Sequence, residues 1–193
     1  MGRRVRNFVG KILFDAGYCA LEVPLNRPGA LAGIETLARI APPHALVGAG
    51  TVTEPAQVDA VAEAGGRLIV SPHFDAAVVS HALARGMRVV AGVFTPSEAY
   101  AALRAGAHAL KIFPAEATSP AGLRALLSIL PAGTLVWPVG GITPDSLARW
   151  CEAGANGFGI GSALFSPGIT LEELARRARA FVEAWQRANH RIH

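Results

Sequence analysis

The chain has little cysteine, little lysine and no long apolar run. Its two cysteines, Cys19 and Cys151, are too few for a disulfide framework and lie in no spacing typical of a metal site. No apolar stretch reaches the roughly 18 residues needed to cross a bilayer, and no apolar signal-peptide core follows the first arginines. We therefore expect a soluble cytoplasmic protein with no membrane partner and no bound metal.

The composition is that of a folded domain. Apolar residues make up 51% and charged residues 17% of the 193 positions, which is sufficient for one buried core. The 21 glycines and 13 prolines indicate many tight turns between short elements. We expect residues 1–193 to form a single domain.

The net charge of +4 comes from the two ends of the chain. Between positions 7 and 175 there are ten basic and thirteen acidic residues, so the body of the chain is mildly acidic. Clustered terminal arginines are typical of solvated helices rather than of a nucleic-acid surface. We therefore expect no nucleic-acid partner.

Short apolar runs recur at a regular interval, separated by stretches whose apolar residues follow the i, i+3, i+4 spacing of amphipathic helices. The predicted strands are 20–25, 46–52, 68–71, 89–94, 109–113, 135–139 and 157–161. Because these runs are apolar nearly throughout, they are typical of parallel strands buried on both faces. Such a βα repeat forms an open doubly wound sheet or a closed (β/α)8 barrel, and the lack of a glycine-rich dinucleotide motif after the first strand favours the barrel.

The repeat contains seven predicted strands, whereas a closed barrel of this type has eight. The first residues follow a helical pattern, with Val5, Phe8 and Ile12 on one face. We therefore expect an α/β, TIM-type barrel that lacks its first β-strand. Either the true start lies upstream or the domain is truncated at its N-terminus.

Two charged residues interrupt apolar strands. Lys111 lies within the run 109–113 and is one of only two lysines in a chain with sixteen arginines. An ammonium there is costly unless it is paired or its pKa falls, and a neutral amine can form a Schiff base with a carbonyl group. Glu22 interrupts the run 20–25 in the same way, and a carboxylate beside such a lysine can transfer protons. A purely structural pair of Glu22 with Lys111 is the alternative.

Glycines accompany the last two predicted strands. Gly140 and Gly141 follow the run 135–139, and Gly161 and Ser162 close the run 157–161. Backbone N–H groups at glycine can approach an anion closely, and the loops after the last two strands are the usual phosphate site of a barrel. Tight turns alone would also select glycine at these positions.

Six segments together resemble the 2-keto-3-deoxy-6-phospho-sugar-acid aldolases, which are class I pyruvate aldolases on a (β/α)8 barrel and usually homotrimers. The segments are 21–26 (LEVPLN), 48–52 (GAGTV), 68–72 (LIVSP), 110–114 (LKIFP), 139–142 (VGGI) and 159–162 (GIGS). They occur in the order and spacing of the family. The resemblance implies a lyase of carbohydrate metabolism that needs neither metal nor cofactor, because its chemistry proceeds through a lysine Schiff base.

The resemblance also implies roles for individual residues. Lys111 would form the Schiff base, and Glu22 would act as the general acid/base. The other implied substrate-binding residues are Thr51 for the pyruvate carboxylate, Gly140, Gly141, Gly161 and Ser162 for the phosphate, and Ser71, Pro72, Val139 and Asn26.

Three positions are similar to the phosphogalactonate branch of the family, namely Pro24, Asn26 and Val139. The phosphogluconate branch tends to have Arg at the position of Asn26 and Thr at the position of Val139. The resemblance therefore implies cleavage of 2-dehydro-3-deoxy-6-phosphogalactonate to pyruvate and D-glyceraldehyde 3-phosphate, as in galactonate degradation. Two alternatives stay open. One is an aldolase for the phosphogluconate epimer or for both epimers. The other is a non-catalytic barrel remnant, since the family's first strand carries a substrate-contacting arginine that has no counterpart in this chain.

Overall fold

The strands form a six-stranded parallel sheet in which neighbours follow chain order. The structure is a computed structural model that describes residues 3–189. The strands are β1 (Ala20–Pro24), β2 (Leu46–Gly50), β3 (Leu68–Val70), β4 (Arg88–Val93), β5 (Ala109–Ile112) and β6 (Val136–Pro138). Helices separate them along the chain, so the expected α/β architecture with a parallel βα repeat is confirmed.

The described part of the chain begins in a helix at Arg3, as the apolar spacing predicts. The helices are α1 (Arg3–Asp15), α2 (Ala30–Ile40), α3 (Pro55–Glu63), α4 (Ala76–Ala84), α5 (Pro96–Arg104), α6 (Pro120–Leu127), α7 (Leu147–Glu152) and α8 (Leu171–Asn189), with a 3-10 turn at Ala115–Ala117. Helix α5 begins at a capping box, in which Thr95 and Glu98 each accept a hydrogen bond from the other's backbone N–H. Among the described helices, none combines the length and the apolar character that a bilayer crossing requires.

One predicted strand does not form. Residues 157–161 make a single parallel bridge, between Gly159 and Val139, next to β6. Three of these five residues are glycines, which contribute no side chains to pack and lose more backbone freedom on ordering than other residues. The prediction of seven strands was therefore wrong by one. Within residues 3–189, β1 and β6 are the edge strands, and no pairing joins them.

Both faces of the sheet carry buried apolar residues, which explains why the strands are nearly continuous apolar runs. One face joins the main core, where Ile69, Val89 and Leu110 pack with residues of the helices. The other face carries a smaller cluster, called here the inner cluster. It consists of Leu68, Val70, Val90 and Ala109, with Ala20, Leu46 and Trp137 packed against them. The inner cluster and its neighbours therefore include residues of all six strands.

The two charged strand residues share the face of the inner cluster. Side chains alternate between the two faces of a strand, so Lys111 lies on the same face as Ala109, and Glu22 on the same face as Ala20. In parallel strands the C-terminal ends meet at one edge of the sheet, and both charges lie toward that edge. The fold therefore places Lys111 and Glu22 on one face, above an apolar floor.

Candidate functional site

Lys111 is buried at the centre of the candidate site. Its side chain is only 7% exposed, and its backbone is paired with Gly92 on β4 and with Trp137 on β6. The Nζ atom lies 4.6 Å from the centroid of the Phe113 ring, within the range of a cation–π contact. Burial lowers the pKa of Lys111, and the charge of Glu22 offsets part of that change. A larger fraction of this amine is therefore neutral than in an exposed lysine, as nucleophilic attack requires.

Glu22 interacts with Lys111 although three strands separate β1 from β5. Four strand spacings in a flat sheet would hold the two residues about 19 Å apart. At such a distance their charges would be largely screened, yet each charge shifts the pKa of the other group. The sheet must therefore curl, so that the inner faces of β1 and β5 turn toward one another.

The Glu22 carboxylate lies against the end of β2. A Cβ atom added at Gly50 would overlap this carboxylate, so a larger residue there would displace it from its present position. Desolvation raises the pKa of Glu22, while the charge of Lys111 and a backbone hydrogen bond from Gly50 lower it, and the net direction is upward. Part of the Glu22 residue stays exposed to solvent. A carboxyl with a raised pKa is suited to both accept and donate a proton near neutral pH.

Thr51 and Ser71 follow the ends of β2 and β3 at the same edge of the sheet. Thr51 has a φ of 57°, and it is the one non-glycine residue with positive φ in the described part of the chain. Such a backbone conformation costs roughly 1–3 kcal/mol and is most frequent at functional sites. Ser71 is buried, and its Oγ accepts a hydrogen bond of 3.3 Å from the Gly92 N–H. Ser71 therefore joins the end of β3 to β4, and Pro72 lies against Gly92 on the same side.

The two glycine segments predicted to bind phosphate are neighbours in the fold. Gly140 and Gly141 form a turn after β6 with φ values of 109° and 63°, which favour glycine. The bridge from Val139 to Gly159 holds the second segment beside this turn, and Gly161 and Ser162 follow it in exposed positions. Backbone N–H groups of both segments therefore lie at one corner of the site edge.

The structure links the predicted residues to different degrees. Contacts or electrostatic interactions join Lys111 with Glu22, and strand pairing joins Val139 with the second glycine segment. Asn26 is exposed in the turn after β1, and the course of the parallel strands alone places it at the same edge. Within residues 3–189, no three His, Cys, Asp or Glu side chains lie together as a metal site requires.

Sequence reasoning did not select two residues as members of the site. Phe113 contacts the Lys111 ammonium, and strand alternation contains the signal for it, because positions 111 and 113 fall on one face. Gly50 borders the Glu22 carboxylate, and its contact depends on the register of β1 against β2, which pairs Pro24 with Gly50. That register follows from packing rather than from any local pattern.

A family model described as "Aldolase: KDPG and KHG aldolase" matches residues 7–179. The chain is similar to the 2-dehydro-3-deoxy-6-phosphogalactonate aldolase of Escherichia coli (strain K12). The two are 45% identical over 93% of this chain and 87% of that protein.

Solved structures show the same fold. A structure described as native KDPGal is 42% identical, with a TM-score of 0.95 over 98% of this chain and 92% of that one. A cube-shaped protein cage designed by fusing symmetric oligomeric domains is 41% identical, with a TM-score of 0.95 over 99% of this chain and 71% of that one. The KDPG aldolase of Legionella pneumophila, with pyruvate captured as a covalent carbinolamine, is 27% identical, with a TM-score of 0.77 over 97% and 89% of the two chains.

The two lysines of this chain allow the environment of Lys111 to be measured directly. Protein labelled with 13C at the lysine side chains will give two lysine signals by NMR, and the Lys11→Arg variant will assign them. The Lys111 signal will titrate below the range of an ordinary lysine, because burial favours the neutral amine. In Glu22→Gln the midpoint will fall further, because a charge that raises the pKa of Lys111 is removed. A Lys111 midpoint in the ordinary lysine range would contradict this description.

Proposed function

Because the chain belongs to the family of KDPG and KHG aldolases, we propose that it is a class I aldolase that cleaves 2-dehydro-3-deoxy-6-phosphogalactonate to pyruvate and D-glyceraldehyde 3-phosphate. The observation that carries the proposal is the buried amine of Lys111 beside Glu22 on one face of the sheet. The similarity to an E. coli aldolase named for this substrate supports the choice of substrate.

Lys111 provides the nucleophile in this proposal. Its neutral amine adds to the C2 ketone of the substrate to give a carbinolamine, which loses water to form a protonated imine. The captured carbinolamine in the Legionella pneumophila enzyme supports such a step for the family. The face of the Phe113 ring, 4.6 Å from Nζ, would favour the positive charge of this imine. No metal or cofactor takes part, because the protonated imine is itself the electron acceptor.

Glu22 moves the protons. It removes the proton of the C4 hydroxyl, directly or through a water molecule, and the electron pair of the C3–C4 bond moves to the imine nitrogen. D-Glyceraldehyde 3-phosphate leaves, and the enamine that remains takes a proton at C3. Water then hydrolyses the imine, which releases pyruvate and restores the amine of Lys111.

The remaining residues would hold the two anionic ends of the substrate. Thr51 would bind the pyruvate carboxylate, and Ser71 and Pro72 would border it. Gly140, Gly141, Gly161 and Ser162 would bind the phosphate through backbone N–H groups and a hydroxyl, as their adjacency at the site edge supports. Asn26 and Val139 would contact the sugar chain between these ends.

The curled sheet would be the larger part of a single TIM-type barrel domain. The interaction of Glu22 with Lys111 supports this interpretation, because it requires the first and fifth strands to turn toward one another. The TM-score of 0.95 with the KDPGal structure supports it independently. A cytoplasmic location stays a prediction from the sequence.

Sodium borohydride will trap the covalent step if the proposal is correct. Incubation with pyruvate followed by reduction will attach one reduced pyruvyl group to the peptide that contains Lys111, as measured by mass spectrometry. Lys111→Arg will lose both the adduct and the turnover, whereas the matched variant Lys11→Arg, at an exposed position of α1, will keep both. An adduct on Lys11 instead would overturn the assignment. An adduct on Lys111 without turnover of either epimer would favour the non-catalytic remnant.

The two C4 epimers of the substrate distinguish the branches of the family. We expect kcat/KM to be higher for the phosphogalactonate epimer than for the phosphogluconate epimer, because specificity is the difference in transition-state binding. Both constants would be measured on one enzyme preparation by coupling pyruvate formation to lactate dehydrogenase. Equal constants would show a dual-specific enzyme, and a reversed order would show the phosphogluconate enzyme.

A homo-oligomer, of three copies as the family resemblance implies, would cover an apolar groove between α5 and α6. Phe94 and Ile129 border this groove and are 48% and 49% exposed. A structural neighbour of this chain is a cage designed by fusing symmetric oligomeric domains, which supports self-association. Large exposed apolar side chains in one patch are typical of an interaction surface.

A charge placed in this groove will dissociate the oligomer. In sedimentation velocity, Ile129→Glu will sediment as a smaller species than the wild type, because the carboxylate would be buried without a partner. Leu31→Glu, the same change at an exposed leucine of α2, will sediment like the wild type. An Ile129→Glu protein that sediments with the wild type would exclude this groove as the interface.

A further inference from the structure

Glu116 is a carboxylate that the proposed reaction does not use. It lies in the 3-10 turn Ala115–Ala117 after β5, and its side chain is exposed. A hydrogen bond of 2.8 Å from the Ala115 N–H to the Val139 carbonyl holds this turn against the end of β6. The backbone therefore presents Glu116 to the glycine turn that follows β6.

The Glu116 side chain lies directly on Gly140 and Gly141. A Cβ atom added at Gly140 would overlap its carboxylate, and one added at Gly141 would lie 2.6 Å from its Cγ and 3.2 Å from its Cδ. Its stem and its charged end therefore fill the space that side chains would take at both glycines. Glycine at these two positions therefore leaves space for the Glu116 side chain and also adopts the positive φ angles of the turn.

No cation neutralises this carboxylate in the part of the chain that the structure describes. Across residues 3–189, the Glu116 side chain has neither an ion pair nor a hydrogen bond. A full negative charge therefore lies against the backbone groups that would receive the substrate phosphate. A negative charge repels an anion bound to the same backbone groups, and it repels a phosphate dianion more strongly than a monoanion.

We propose that Glu116 lowers the affinity of the Gly140–Gly141 turn for phosphate, so that a phosphorylated product leaves the site more readily. The inference rests on the proposed function, because it requires the glycine turn to bind the phosphate. Glu116 touches the binding turn and not the reacting atoms, so its role is to set affinity. The matching expectation is that a neutral side chain of the same shape will make the turn bind phosphate more tightly.

Inorganic phosphate is the probe, and Glu116→Gln is the test variant. Isothermal titration calorimetry of the full chain will give a phosphate Kd about three- to tenfold lower for Glu116→Gln than for the wild type, with the gap narrowing as salt is added. The inhibition constant of D-glyceraldehyde 3-phosphate will fall in the same direction. Glu54→Gln is the control, because it removes one exposed carboxylate at the start of α3, at the same sheet edge but beside β2. Its phosphate Kd will equal that of the wild type.

Each other outcome contradicts the inference. Equal phosphate affinity in the wild type and Glu116→Gln would show that the charge does not act on the turn. If Glu116→Gln instead raised only the KM for substrate, Glu116 would be a residue that accepts a hydrogen bond from a substrate hydroxyl. Equal tightening in Glu54→Gln would show only an effect of net charge. If neither protein binds phosphate, the inference fails with the phosphate role of the turn. Borohydride trapping at Lys111 then shows separately whether the aldolase proposal stands.

Discussion

The ammonium of Lys111 lies on a sheet face that is otherwise apolar, and a charge moved there from water loses much of its hydration. Three features of the structure offset this loss of hydration. Glu22 supplies an opposite charge, the Phe113 ring supplies the negative face of its π system, and the pKa of the amine falls so that the neutral form becomes more populated. The first of these features shapes the fold as well as the site.

The pairing of Glu22 with Lys111 requires the sheet to bring its first and fifth strands together. Small side chains on the inner face, among them Ala20 and Ala109, leave room for the strands to curl toward one another. Gly50 leaves space for the Glu22 carboxylate, which a side chain at this position would displace. Two polar groups are therefore held above an apolar floor, and the Glu22 carboxylate occupies the space that a side chain at position 50 would take.

Sequence reasoning selected Lys111 and Glu22 because each contradicts its own surroundings, and the structure places the two on one face of the sheet. Lys111 and Glu22 each interrupt an apolar run, and such a conflict can be read without knowledge of the fold. It failed for the run 157–161, whose apolar residues suggested a strand although its glycines leave too little to pair. The contact of Glu116 with the Gly140–Gly141 turn could not be predicted, because it depends on one backbone hydrogen bond between Ala115 and Val139. The burial of Ser71 and its hydrogen bond with Gly92 could not be predicted either, because both follow from strand register.

Attraction between opposite charges would contribute little to the affinity of the proposed site for its substrate. A phospho-sugar acid carries two anionic ends, while Glu22 and Glu116 add negative charge beside its proposed binding groups. Burial raises the pKa of Glu22 and lowers that of Lys111, so both shifts bring the pair closer to its neutral form. In the proposed reaction, affinity would come from backbone N–H donors at the glycine segments, from Thr51 and from the covalent bond to Lys111. In the proposed reaction, hydrolysis of the imine breaks the covalent bond to Lys111 and releases pyruvate. D-Glyceraldehyde 3-phosphate has no covalent bond to the site once the C3–C4 bond has broken. The charge of Glu116 would then weaken the contact of its phosphate with the glycine turn.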